Sequence, residues 1–133
     1  MSQVRDAMVP EPGTLEASAS AQEAGERLSA PAVRAVLVCD DGRLVGVVTR
    51  KTLVQQIVAT GRDPRATTLR DIAEPPLFTL DASMNLDDAY RALEDHDLER
   101  VPVVEDDRLV GILSRTVLQR RLAEDEPPPQ QQV

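Results

Sequence analysis

The stretch Gly42-Arg43-Leu44-Val45-Gly46-Val47-Val48-Thr49-Arg50 returns 65 residues later as Asp107-Arg108-Leu109-Val110-Gly111-Ile112-Leu113-Ser114-Arg115. The register holds without a gap in both directions. Upstream, Val4-Arg5-Asp6 falls on Leu69-Arg70-Asp71, and Thr14-Leu15-Glu16-Ala17-Ser18 falls on Thr79-Leu80-Asp81-Ala82-Ser83. Ala24 and Leu28 fall on Ala89 and Leu93, Val36 and Val38 on Val101 and Val103, and Leu53 and Ile57 on Leu118 and Leu122. An ungapped match of this length, with roughly a third of the pairs identical, marks an internal duplication. The chain reads as repeat 1 over residues 1–62, repeat 2 over residues 63–123, and a tail over residues 124–133. That tail, acidic and rich in Pro and Gln, buries no apolar area and is expected to be disordered.

Each repeat carries the same local signals. Ser20-Ala21-Gln22-Glu23 reads as a capping box, and Asn85-Leu86-Asp87-Asp88 as its counterpart, with negative charge at the helix start. The helices that follow set Ala24 and Leu28, and Ala89 and Leu93, four residues apart on one face. Two short runs rich in β-branched residues come next, Val36–Cys39 with Leu44–Val48 and Val101–Val104 with Leu109–Leu113. The acidic turns Asp40-Asp41-Gly42 and Glu105-Asp106-Asp107 join them as hairpins. A closing helix turns Leu53 and Ile57, or Leu118 and Leu122, inward. The fold class is α/β (α+β), built from βαββα-type repeats. Gly61–Thr67 reads as an ordered connector. Units this small and poor in large side chains fold weakly alone, so the repeats are expected to pack through their sheets.

Composition narrows the function. Hydrophobic residues make up 41% of the 133-residue chain but aromatics only 2%, so the core must come from Val, Leu, Ile and Ala. A net charge of −8 argues against a nucleic-acid surface, which needs clustered cations. The single cysteine, Cys39, excludes an internal disulfide and a cysteine-based zinc site, and its apolar neighbours mark it as a buried structural thiol. No apolar run approaches 18 residues, and no leader pattern opens the chain, so a cytoplasmic protein without a membrane span is expected. His96 is the only histidine, in the polar segment Glu94-Asp95-His96-Asp97, and reads as a solvated helix end rather than a metal ligand. No nucleophile–base pair, phosphate-cradling loop or metal-binding spacing stands out, so neither a catalytic residue nor a metal site is expected.

The succession Arg100-Val101-Pro102-Val103-Val104, acidic turn, Arg108-Leu109-Val110-Gly111-Ile112-Leu113-Ser114-Arg115 resembles the cystathionine-β-synthase (CBS) domain. So does the opening of each repeat, Arg-Asp followed by Thr-Leu-acidic-Ala-Ser. The resemblance spans Val4 to about Ala123. It implies tandem CBS domains (a Bateman module) related by a pseudo-twofold, with two clefts between the repeats. In the family such clefts often hold AMP, ADP, ATP, NAD-like molecules or S-adenosylmethionine, and modules commonly pair as homodimers. The resemblance thus implies a regulatory module that senses an adenosine nucleotide, requires no cofactor and is not an enzyme. Its partners would be a small adenosine ligand, a second copy, or an unidentified effector protein. The competing reading keeps the fold as a dimerisation or protein-interaction module that has lost nucleotide binding.

In the family, a Gly-h-h-Thr/Ser-x-x-Asp segment (h, apolar) ends the second hairpin strand, its hydroxyl meeting phosphate and its Asp holding the ribose hydroxyls. Thr49 and Ser114 keep the hydroxyl, and each serves equally well as a helix N-cap. The Asp positions hold Thr52, which can still accept one hydrogen bond and stays in the candidate set, and Val117, which can accept none. Losing a charged hydrogen bond worth ~1.5–3 kcal/mol weakens such a site by one to a few factors of ten. Arg34 and Arg100, at the strand starts, and Arg50 and Arg115, after the hydroxyls, are candidate phosphate ligands. For Arg34 and Arg100 a solvated salt bridge is the competing role, with Glu99 beside Arg100. Thr14 and Thr79 complete the candidate set, and the backbones of Val36, Val38, Val101 and Val103 are candidates to line an adenine slot.

Overall fold

The computed structural model describes residues 2–10, 13–76 and 78–125. The chain opens with helix α1 (Val4–Ala7), strands β1 (Val9–Pro10) and β2 (Thr14–Glu16), and helix α2 (Ala21–Leu28). Strands β3 (Ala35–Asp40) and β4 (Arg43–Thr49) lead into helix α3 (Arg50–Leu53), which widens into a π-helical turn over Val54–Val58. Helix α4 (Leu69–Ile72), strand β5 (Leu80–Asp81), helix α5 (Leu86–Asp95), strands β6 (Arg100–Glu105) and β7 (Arg108–Ser114), and helix α6 (Arg115–Asp125) follow. The mixed α/β class and the twofold recurrence of the βαββα order agree with the sequence.

Two compact units form, and they cut the chain differently from the repeat in its sequence. A first-repeat unit takes residues 13–76 with 106–109, and a second-repeat unit takes 2–10 with 78–105 and 110–125. Each repeat therefore lends its opening helix to the body of the other. Within the second-repeat unit, Val4 N donates to Met84 O at 2.8 Å and Arg5 N to Ala82 O at 3.0 Å. Within the first, the counterparts Leu69 N and Arg70 N donate to Ala19 O and Ala17 O at 2.8 and 2.9 Å. Four-residue helices are unstable alone. These two persist because Val4 and Ala7, and Leu69 and Ile72, are buried in the host core.

The sheet of each unit follows one plan. In the first-repeat unit β2 runs parallel to β3, with Thr14 opposite Leu37, and β3 runs antiparallel to β4, with Val38 opposite Gly46. In the second, β5 runs parallel to β6, with Leu80 opposite Val103, and β7 flanks β6 on its other side. The two-residue hairpin turns require left-handed backbone, met by Asp41 and Gly42 (φ 52° and 81°) and by Asp106 and Asp107 (φ 53° and 65°).

Gly46 and Gly111 explain the most conspicuous shared residue of the repeat. A Cβ on Gly46 would lie 2.6 Å from the Ala73 Cβ, and one on Gly111 would lie 2.8 Å from Val9 O. The segment after each lent helix lies against the glycine, pairing Val47 with Glu74 in one unit and Val9 with Ile112 in the other. The glycines are there for close backbone approach.

Each unit has its own core. Leu80, Leu86, Leu93, Leu113 and Leu118 dominate the second-repeat unit, with Val101 and Val103. Ala17, Ala21, Ala24, Val36, Val38 and Val48 line much of the first, filled by Leu28, Ile57, Leu69 and Ile72. Of the expected inward residues of the closing helices, Ile57 and Leu118 are buried, while Leu53 and Leu122 pack from the core's edge.

Two local expectations change, and the Asn85 cap holds. Ser20 accepts from Glu23 N at 3.2 Å, but among the described residues no return bond runs from the Glu23 side chain to the Ser20 amide, so the capping box is half made. Asn85 caps α5 from Asp88 N at 2.8 Å and also donates to the Asp88 carboxylate. Helix α6 reaches Asp125, so Glu124 and Asp125 belong to a helix rather than to the tail; the rest of the expected tail, 126–133, lies outside the described residues. The connector is tied down as expected, with Gln22 N donating to Pro64 O and Arg65 Nε to Gln22 Oε1.

Candidate ligand-binding site

The candidate residues fall into two equivalent groups, one per unit. In the first-repeat unit, β2 covers β3 only from Leu37 onward. The outer edge of Ala35 and Val36 has no strand partner among the described residues. On the inner side Ala35 stands opposite Thr49 and Val36 opposite Val48. Arg34, immediately before the strand, thus flanks Thr49 at the same end of the hairpin. Val36 and Val38 point into the core, 3% and 0% exposed, so only their backbone could meet a ligand. Val38 is paired on both sides, by Leu15 and Gly46, whereas Val36 keeps an open edge. Thr14 lies half-buried in β2.

Thr49 caps α3 in a reciprocal box. Its hydroxyl accepts from Thr52 N at 3.3 Å, and Thr52 Oγ1 accepts from Thr49 N at 3.0 Å, with the two oxygens 3.1 Å apart. Thr52 is 0% exposed. A buried hydroxyl proton needs an acceptor, and the nearest is Thr49 Oγ1. Thr52, at the family's Asp position, is thereby committed to the fold. Arg50 donates to Ala30 O at 2.9 Å, a neutral partner, and lies in no ion pair among the described residues.

In the second-repeat unit, Ser114 caps α6 by accepting from Val117 N at 3.2 Å. Val117 is half-buried and apolar, so no reciprocal box forms. Val101 and Val103 are core residues, 1% and 0% exposed, and Thr79 is exposed just before β5. Arg115 is held at 3.5 Å by both Asp97 and Glu99, and its amide donates to Glu99 O at 2.8 Å. Glu99 therefore pairs with Arg115 and not with its neighbour Arg100. Arg34 and Arg100 are exposed and lie in no ion pair among the described residues.

The two latter arginines are not equivalents. At the 65-residue offset Arg34 corresponds to Glu99, and Ala35 to Arg100. They stand one position apart, Arg34 preceding β3 and Arg100 opening β6. The offset that revealed the repeat already contained this, and so did the acidic Glu99 at the Arg34 position.

Two groups outside the candidate set have shifted acidities. Burial pushes the Cys39 thiol up, and the Glu16 carboxylate adds to the effect. The Ser83 hydroxyl and amide, donating to Asp81 at 2.6 and 2.8 Å, hold the Asp81 carboxyl below the usual range, with a smaller contribution from Arg5. His96 is the C-cap of α5, its Nδ1 2.9 Å from Ala92 O and its ring tilted 35° against Phe78 with centroids 4.4 Å apart.

The sequence pattern of the CBS domain matches residues 4–59 and again 69–124. The chain belongs to the CBS domain family and carries two such domains in tandem. It is 33% identical over 93 residues to hypoxic response protein 1 of Mycobacterium tuberculosis, covering 69% of this chain and 65%, just under two thirds, of that protein. It is 30% identical over 114 residues to the CBS domain-containing protein YhcV of Bacillus subtilis, covering 86% of this chain and 81% of that protein. The crystal structure of hypoxic response protein I with two coordinated zinc ions superposes with a TM-score of 0.76 at 27% identity, over 91% of this chain and 99% of that one. CBSX2, crystallised in complex with AMP, superposes with a TM-score of 0.71 at 31% identity, over 92% of this chain and 96% of that one. Among the described residues no three His, Cys, Asp or Glu side chains cluster as a metal site, and no helix is long and apolar enough to cross a membrane.

Proposed function

We propose that the chain is a regulatory module that binds an adenosine nucleotide and transmits its occupancy to a second copy or an effector protein. The observation that carries this reading is a pairing of groups present in both units, although the two arginines stand one position apart. In both units a capping hydroxyl, Thr49 or Ser114, closes a hairpin beside an exposed arginine, Arg34 or Arg100, that no carboxylate engages among the described residues. Hydroxyl and guanidinium are the groups that recognise phosphate. The outer backbone edge of Ala35 and Val36, without a strand partner among the described residues, is suited to an adenine. The AMP complex of CBSX2, 31% identical, supports the ligand class.

Thr52 and Val117 offer a ribose diol no carboxylate, so affinity falls by one to a few factors of ten relative to a site that has one. The test is thermal unfolding across AMP, ADP, ATP, NAD and S-adenosylmethionine. At ten times Kd a ligand stabilises by about 1.4 kcal/mol, which raises Tm by several degrees in a domain of this size. At least one ligand is expected to give a saturable rise. A flat Tm across the panel at millimolar concentrations overturns the reading.

A further inference from the structure

We infer that the two candidate sites are unequal, and that the phosphate group is taken by the first-repeat unit, where Arg34 and Arg50 share one hairpin end with no carboxylate partner among the described residues. This rests on the proposed reading for the adenosine part of the ligand. The phosphate part stands on the charges alone.

Five equivalent positions surround the two hairpin ends. In the first-repeat unit residues 32, 34, 35, 50 and 51 are Ala, Arg, Ala, Arg and Lys, a net charge of +3. In the second, residues 97, 99, 100, 115 and 116 are Asp, Glu, Arg, Arg and Thr, a net charge of zero. Geometry widens this difference. Arg50 spends one N–H on the neutral Ala30 carbonyl and keeps its remaining donors and its full charge. Arg115 lies between two carboxylates, Asp97 and Glu99, each 3.5 Å away. A phosphate arriving at Ser114 would have to displace those carboxylates or accept their repulsion, and at surface-like screening each costs about a few-fold in affinity. The cap hydroxyls do not reverse the order, because Thr49 and Ser114 cap their helices alike, each accepting from the amide three residues on.

Inorganic pyrophosphate tests this without the nucleoside. Backbone amide resonances are followed as pyrophosphate, and separately AMP, is titrated into the full chain. Pyrophosphate is expected to shift residues 34–36 and 49–51 saturably and to leave 99–101 and 114–116 within about a tenth of that response. Arg34→Glu, which copies the residue of the other repeat, is expected to weaken the response about tenfold or more. Arg100→Glu should change it less than threefold. Equal shifts in both units, no shift in the first, or equal losses for the two variants would overturn the proposal. Retained amide dispersion shows that a variant is folded. Pyrophosphate shifts at 49–51 with no AMP response in wild type would sink the adenosine reading alone and leave the charge asymmetry standing.

Discussion

The two units share a plan and differ in how each closes its hairpin end. The first-repeat unit has Thr52 fully buried in a reciprocal cap with Thr49. The second has an apolar Val117 under a single Ser114 bond and a carboxylate clamp on Arg115. Duplication preserved the backbone solution and left the polar chemistry free to diverge. The cores diverged too. Ala24, Val36 and Val38 of the first-repeat unit match Ala89, Val101 and Val103 of the second, but Ala21 and Val48 stand where the second has Leu86 and Leu113. A core of smaller side chains depends more on each large residue it contains.

The largest effect should come from truncating the equivalent leucines. Leu28 and Leu93 hold matching positions on α2 and α5, 2% and 0% exposed. Leu→Ala at such sites costs about 2–5 kcal/mol, according to how far the neighbours collapse. Both variants should fall in that range in urea unfolding. If Leu28→Ala costs clearly more, the first-repeat unit leans harder on its few large residues. A cost below about 1 kcal/mol at either position would show that the burial described for it is wrong.

A smaller difference separates the caps. Thr52→Val removes the acceptor of the Thr49 amide and the buried partner of its hydroxyl, at a cost of about 1–2 kcal/mol. Ser114→Ala removes one cap bond and should cost about 1 kcal/mol or less. Chemical denaturation of the two variants ranks them. The reverse order would mean that Thr52 is not part of the fold and is available to a ligand.

Much of the fold was legible because the repeat is gapless and its signals are local. The hairpin turns follow from Asp-Gly and Asp-Asp, and the cap at Asn85 from its sequence. The exchange of opening helices was not legible, since Val4 and Leu69 look alike and nothing local says which body buries each. The role of Gly46 and Gly111 likewise depends on a segment distant in sequence. At the candidate site the residue types could be read, but their commitments could not. Thr52 is polar by sequence and buried in fact, and Glu99 sits beside Arg100 yet bonds Arg115. Side-chain partnership is a tertiary property, so adjacency along the chain misassigned it.

The smallest expected effect concerns the end of the parallel strand pair, where Asp81 and Val104 of one unit correspond to Glu16 and Cys39 of the other. Asp81 owes its lowered pKa mainly to the two Ser83 bonds, so Ser83→Ala should bring its carboxyl back toward the ordinary value in an NMR pH titration. Because folding lowers this pKa, its stabilising contribution is present above the ordinary carboxylate range and is lost as pH falls through the lower, folded value. Cys39 runs the other way. Folding raises the thiol pKa, so its contribution holds below the ordinary value of 9.0 and is lost as pH rises beyond it, where the unfolded chain gains thiolate. Glu16 opposes that thiolate, so Glu16→Gln should lower the Cys39 pKa and hasten alkylation at alkaline pH, with burial still slowing it relative to the unfolded chain. An alkylation rate equal to that of the unfolded chain would show that Cys39 is exposed and that the end of β3 is open in solution.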